Sequence, residues 1–189
     1  MNTFKKQLYQ ATVYRASRDK FHAWVLNNPD LMKDLTDIAF DSDNPYHFKA
    51  CWILELLAEA KIELFVPYLD VFCNVMGRYT DDSSIRTMAK TAMLIVKENY
   101  ALQSKFVLNE KQISQITECC MDWLITDQKV AAKAYAAETL YVLGRYQSWI
   151  YPELKQILSD GYTRHSAAYQ ATARKLIKLI DKHRIRFIE

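Results

Sequence analysis

Apolar positions recur along this chain at helical spacing, and residues 82–96 show it most clearly. Ile85, Ala89, Ala92, Met93 and Val96 fall at offsets of 0, 4, 7, 8 and 11, which places all five on one face of a helix. Asp82, Ser83 and Ser84 are candidate caps for its first free N–H groups, and an acid there suits the positive end of the helix dipole. Ala89 and Ala92 are small enough for a neighbouring helix to approach closely. Arg86, near the capping acids, is placed to tie one turn to the next. Phe4, Leu8 and Ala11 predict an opening helix in the same way. Ser17 begins a second, which carries Phe21, Trp24 and Val25 and ends at Asn27-Asn28.

The template of 82–96 returns three times. Ala50 and Ile53 take the places of Ala89 and Ala92 after Asn44-Pro45, Ala134, Ala137 and Leu140 follow Asp127, and Ala167 follows Asp160 in a looser copy. The anchors Ala50, Ala89, Ala134 and Ala167 stand 39, 45 and 33 residues apart, within the range of helical repeat arrays. Most copies are preceded by Pro-x-Leu: Pro29-Asp30-Leu31, Pro67-Tyr68-Leu69 and Pro152-Glu153-Leu154. Each proline is expected in the first turn of a helix, where its missing N–H costs nothing. The third copy uses Ile113, Ile116 and Cys120 instead.

A proline-led helix, a turn with Asp and then an alanine-rich helix resembles the HEAT and HEAT-like (armadillo-type) repeat family, over roughly 29–180. Ile85-Arg86-x-x-Ala89-x-x-Ala92-Met93 matches that family's second-helix pattern, whereas His47 stands where the first copy should have arginine. The resemblance implies an all-α, right-handed α-α superhelix of about four hairpins in a single domain. Helical caps occupy 1–28, the repeats 29–60, 64–100, 110–146 and 149–180, and a C-terminal tail 181–189. The longest connection, 101–109, is expected to pack down through Phe106, Val107 and Leu108.

Composition agrees with a helical domain. Half of the 189 residues are hydrophobic, enough for a sizeable core, and three glycines with four prolines leave little room for a turn-rich β fold. Cys51, Cys73, Cys119 and Cys120 form no C-x-x-C pair and read as reduced, buried thiols. No run is apolar enough to span a membrane and no signal-peptide core follows the first residues, so a cytoplasmic protein is expected. His22, His47, His165 and His183 lack metal-ligand spacing, and neither a metal nor a cofactor is expected. Glu55, Glu59 and Glu63 read as a solvated stripe, and Gly77 and Gly144, in a repeated Gly-Arg-Tyr, as left-handed helix stops.

Charge is uneven beneath a net +3. Residues 1–20 carry five Lys/Arg against one acid and 164–189 seven against two, which leaves an acidic middle. That is not the signature of a uniformly basic nucleic-acid binder. In the family that the chain resembles, second helices line the concave face. Lys49, Arg86, Lys90, Lys133 and Arg164, with Lys129 beside them, are therefore the candidate partner-binding residues, with Trp52, Tyr135, Tyr141 and Tyr169 for stacking. The alternative assignment has these cations paired with turn acids and the aromatics in the core. The basic 174–186 segment reads as a capping helix or as a contact for anionic lipid or nucleic acid.

The expected function is a non-catalytic scaffold that binds a protein or peptide. Some HEAT-like proteins are DNA glycosylases for alkylated purines, which makes nucleic acid the alternative partner. Such chemistry needs an aspartate beside tryptophan in a basic cleft, and Asp122-Trp123 falls on a first helix expected to face outward. Ser83-Ser84-x-x-x-Met88-x-Lys90 weakly resembles the serine-rich loop of adenylosuccinate lyases, but the proline is missing, the spacing differs and the chain is far shorter than such a lyase.

Overall fold

The structure, a computed structural model, describes residues 3–185 and the side chains through Lys182. The described residues are helix and turn with no strand. Their α-helices are α1 (Thr3–Leu8), α2 (Arg15–Asn27), α3 (Leu31–Ala39), α4 (His47–Ala60), α5 (Leu69–Val75), α6 (Asp82–Asn99), α7 (Glu110–Ile125), α8 (Val130–Leu143), α9 (Ile150–Gly161) and α10 (Ala167–Ile185). Short 3-10 segments, Ile62–Tyr68 and Met76–Arg78, flank α5.

Consecutive even-numbered helices pack on one another, α2 on α4, α4 on α6, α6 on α8 and α8 on α10, while α5 packs on α7 and α7 on α9. The hairpin partners α3 and α4, α7 and α8, and α9 and α10 also touch. One core of buried side chains runs from Phe4 to Ile180. Ala89 and Ala92 of α6 and Ala132, Ala136 and Ala137 of α8 are all buried, as small residues must be where two helices lie close. No described helix is long and apolar enough to cross a membrane.

Caps and connections differ from expectation in instructive ways. Asp81, not the residues after it, caps α6: its backbone is extended and its Oδ1 accepts from the Ser84 N–H at 2.8 Å. Only Pro152 lies in a helical first turn; Pro29 precedes α3, and Pro67 sits in the 3-10 segment before α5. Asn109 and Gln112 form a reciprocal capping box on α7, and Gln112 Nε2 also donates to Asp70 Oδ1 of α5 at 2.8 Å. In the 101–109 connection Phe106 and Leu108 pack down, but Leu102 and Val107 are exposed.

Neither Gly77 nor Gly144 is left-handed, since no described glycine has positive φ. Gly144 answers a different need, because a Cβ there would stand 2.2 Å from ring carbons of Tyr151. All four cysteines are free and buried. The α10 helix continues past residue 180 into the expected tail; residues 186–189, and the side chains of His183 and Arg184, lie outside the described set.

Candidate functional site

The five sequence-selected cations do not form one open trough. Arg86 and Lys90 are bound to carboxylates of α4. Arg86 Nη2 lies 2.9 Å from Glu55 Oε2, and Lys90 Nζ lies 3.0 Å from Glu55 Oε1 and 2.5 Å from Glu59 Oε1. Arg86 thus joins α6 to α4 rather than tying turns together. Glu55, with 7% of its side chain exposed, is an internal anchor and no part of a solvated stripe. Glu63, the third acid of that spacing, pairs with Lys105 at 2.8 Å. Burial opposes the Lys90 charge, but Glu59 and Glu55 outweigh it and hold its pKa above the usual lysine value.

The other three cations serve helix ends. Lys49 Nζ donates to Tyr9 O just past α1 at 2.5 Å, and Lys133 Nζ donates to Leu124 O in the last turn of α7 at 2.9 Å. Arg164 lies in the α9–α10 turn rather than on a helix. Its Nε and Nη2 donate to Asp160 O near the end of α9, at 3.0 and 2.8 Å. Carbonyls without intrahelical partners at a helix C-terminus, carrying partial negative charge, attract cations.

Lys133 and Arg164 nevertheless meet at one feature. A cleft of about 410 Å³ opens where the α7–α8 and α9–α10 turns adjoin, with Leu124, Ile125 and Ile157 as apolar wall. Lys133, Arg164, His165 and Tyr169 supply its donors, and Asp127 and Asp160 its acids. The Lys133 side chain belongs to a residue only 3% exposed. Burial lowers its pKa, and Asp127 offsets this only in part. Burial also lowers the His165 pKa, helped by the charges of Lys133 and Arg164 and opposed by Asp127.

A second feature follows the even-numbered helices. A cleft of about 320 Å³ lies between α6, α8 and α10, floored by Val142, Leu176 and Leu179. Glu138 of α8 bridges Lys97 of α6 at 3.0 Å and Lys175 of α10 at 3.3 Å. At its rim the Tyr100 and Tyr146 rings stack with centroids 3.7 Å apart, and the Arg145 guanidinium stands 5.2 Å from the Tyr141 ring centre. Tyr146 and Trp149, in the α8–α9 turn, are 57% and 55% exposed.

Of the stacking candidates, Trp52 and Tyr169 are buried, and the Trp52 indole donates to Ser83 Oγ at 2.6 Å. Tyr135 and Tyr141 are half-buried, Tyr135 with Lys90 6.0 Å from its ring centre. Lys129 lies 3.5 Å from Asp82. Trp123 is buried while Asp122 is exposed, so the pair lines no common cleft. Sequence reasoning missed the Tyr100–Tyr146 stack, which joins two connections that no local pattern relates. Among the described residues no group of three or more His, Cys, Asp or Glu is placed to hold a metal. Comparison with protein-family models, curated proteins and solved structures finds no match for this chain.

Proposed function

We propose that the protein is a non-catalytic interaction scaffold, a right-handed superhelix of four HEAT-like hairpins that binds a protein partner in the cytoplasm. The observation that carries this reading is the rim of Tyr100, Tyr141, Arg145 and Tyr146 around the α6–α8–α10 cleft. Tyrosine, tryptophan and arginine dominate binding hot spots, because they bury much area for little lost rotamer freedom. Here the stacking of Tyr100 on Tyr146 and the cation over Tyr141 limit that freedom before a partner arrives. The Lys97–Glu138–Lys175 bridge holds the three helices in register beneath it.

What weighs against a nucleic-acid track is the neutralisation of Arg86 and Lys90 by Glu55 and Glu59, which leaves the middle of the even-numbered row without free positive charge. The test is affinity capture from native lysate, with and without nuclease, for the wild type and for Arg145→Glu/Tyr146→Ala. A stoichiometric protein that survives nuclease and is lost from the double variant, with thermal stability retained, is the expected result. Capture unchanged in the double variant, or recovery of nucleic acid alone, overturns the reading.

A further inference from the structure

The cleft between the α7–α8 and α9–α10 turns carries an inference independent of the rim. Lys133 is nearly sealed from solvent without a carboxylate partner; its one hydrogen bond goes to the Leu124 carbonyl. A buried cation of this kind is costly unless compensated, and a dipole compensates less than a charge. An ammonium has three N–H groups, of which Lys133 uses one, and a guanidinium has five, of which Arg164 uses two, on the Asp160 carbonyl. Both side chains therefore keep donors for a ligand after serving their helix ends.

Asp127 and Asp160 also line the cleft, so the sign of its interior has to be argued. The Asp160 carboxylate accepts from the neutral Gln156 amide, 2.9 Å from each oxygen, and it is exposed, so solvent screens its charge. Asp127 is exposed, which screens it. Burial lowers the His165 pKa, and the charges of Lys133 and Arg164 each lower it by more than Asp127 raises it.

We propose that this cleft is a binding site for a phosphoryl group, held by the Lys133 ammonium, the unused edge of the Arg164 guanidinium and the His165 ring. The three donors come from α8 and from the α9–α10 turn, and a tetrahedral oxyanion presents separate oxygens to each, which a planar carboxylate does not. An anion there compensates the buried lysine and favours protonation of His165, which adds a charged donor to the site. The volume of about 410 Å³ suits a small phosphate ester or a phosphorylated side chain of a peptide.

The test follows the His165 ring by NMR at neutral pH while inorganic phosphate is added, against potassium chloride at matched ionic strength. A saturable shift with phosphate only, and a raised His165 titration midpoint, are expected. Arg164→Gln, at an exposed position and with its fold checked by a thermal melt, should weaken binding about tenfold or more. No saturable shift up to about 50 mM phosphate, where even a site with a millimolar dissociation constant would be filled, overturns the proposal. So does an equal response to chloride, or unchanged affinity in Arg164→Gln. O-phosphoserine and a phosphoserine peptide distinguish the source: tighter binding of the peptide identifies a phosphorylated protein segment, and equal binding a small phosphate ester.

Discussion

His47 Nε2 stands 2.8 Å from Asp81 Oδ2, while His47 Nδ1 stands 2.7 Å from the Asn44 carbonyl. Each ring nitrogen thus stands within hydrogen-bond reach of an acceptor. The ring links the turn before α4 to the cap of α6, in the position where the repeat pattern calls for arginine. One acid thereby caps a helix and anchors the preceding hairpin.

Burial opposes ionisation of Asp81, but the His47 ring and the Ser84 N–H outweigh it and hold the carboxyl below its usual range. A depressed folded-state value stabilises above the unfolded carboxylate pKa, about 3.9, and the gain is lost as pH falls through the folded value. Asp81→Ala should cost about 1–2 kcal/mol at neutral pH, as lost caps do. Urea unfolding should show that deficit shrinking near pH 3; a deficit independent of pH would contradict the charge role.

Glu55 holds two cations at once. Glu55→Gln leaves Arg86 and Lys90 with weakened compensation and should destabilise by about 2–3 kcal/mol, toward the low side for buried pairs because both cations retain some solvent. A double-mutant cycle with Lys90→Met should return a coupling of about 1 kcal/mol or more. Additive losses would mean that the contact is only geometric.

The two Gly-Arg-Tyr tripeptides should respond in opposite ways. Gly144→Ala drives a methyl into the Tyr151 ring and should cost about 1–3 kcal/mol. At Gly77 the nearest atom to an added Cβ is Cys119 Sγ at 3.4 Å and φ is not positive. Gly77→Ala should therefore be neutral or stabilise by up to about 1 kcal/mol. Thermal melts of the two variants decide it.

Lys133 should leave a signature at alkaline pH. Its lowered folded-state pKa makes it stabilise in full only above the ordinary lysine value, about 10.4, with that contribution lost as pH falls through the folded value. The stability difference between the wild type and Lys133→Met should therefore shift in favour of the wild type as pH rises. The same variant should raise the His165 titration midpoint, which NMR reads directly.

Much of the architecture was legible because periodicity and caps are local. Spacing alone places Phe4, Leu8, Ile85, Ala89, Ala92 and Val96 on buried helix faces, and all are helical and buried, whereas Ala11 is buried but lies beyond the end of α1. That follows from 3.6 residues per turn, which fixes who shares a face whatever the partner helix is. All-α character, the positions of α2, α6 and α8, and the lack of a spanning segment were within reach of the chain read by itself.

Only tertiary structure decided how the charges are used. Glu55 meets Arg86 from 31 residues away, and Lys97 meets Glu138 from 41. A basic residue on a second helix looks the same in sequence whether it faces solvent, a carboxylate one hairpin back or a bare carbonyl at a helix end. Tyr100 and Tyr146 likewise stack across two connections that share no local pattern. Helical faces are written in the chain by short-range geometry, whereas charge pairing and clefts depend on which faces the stacking brings within a few ångströms.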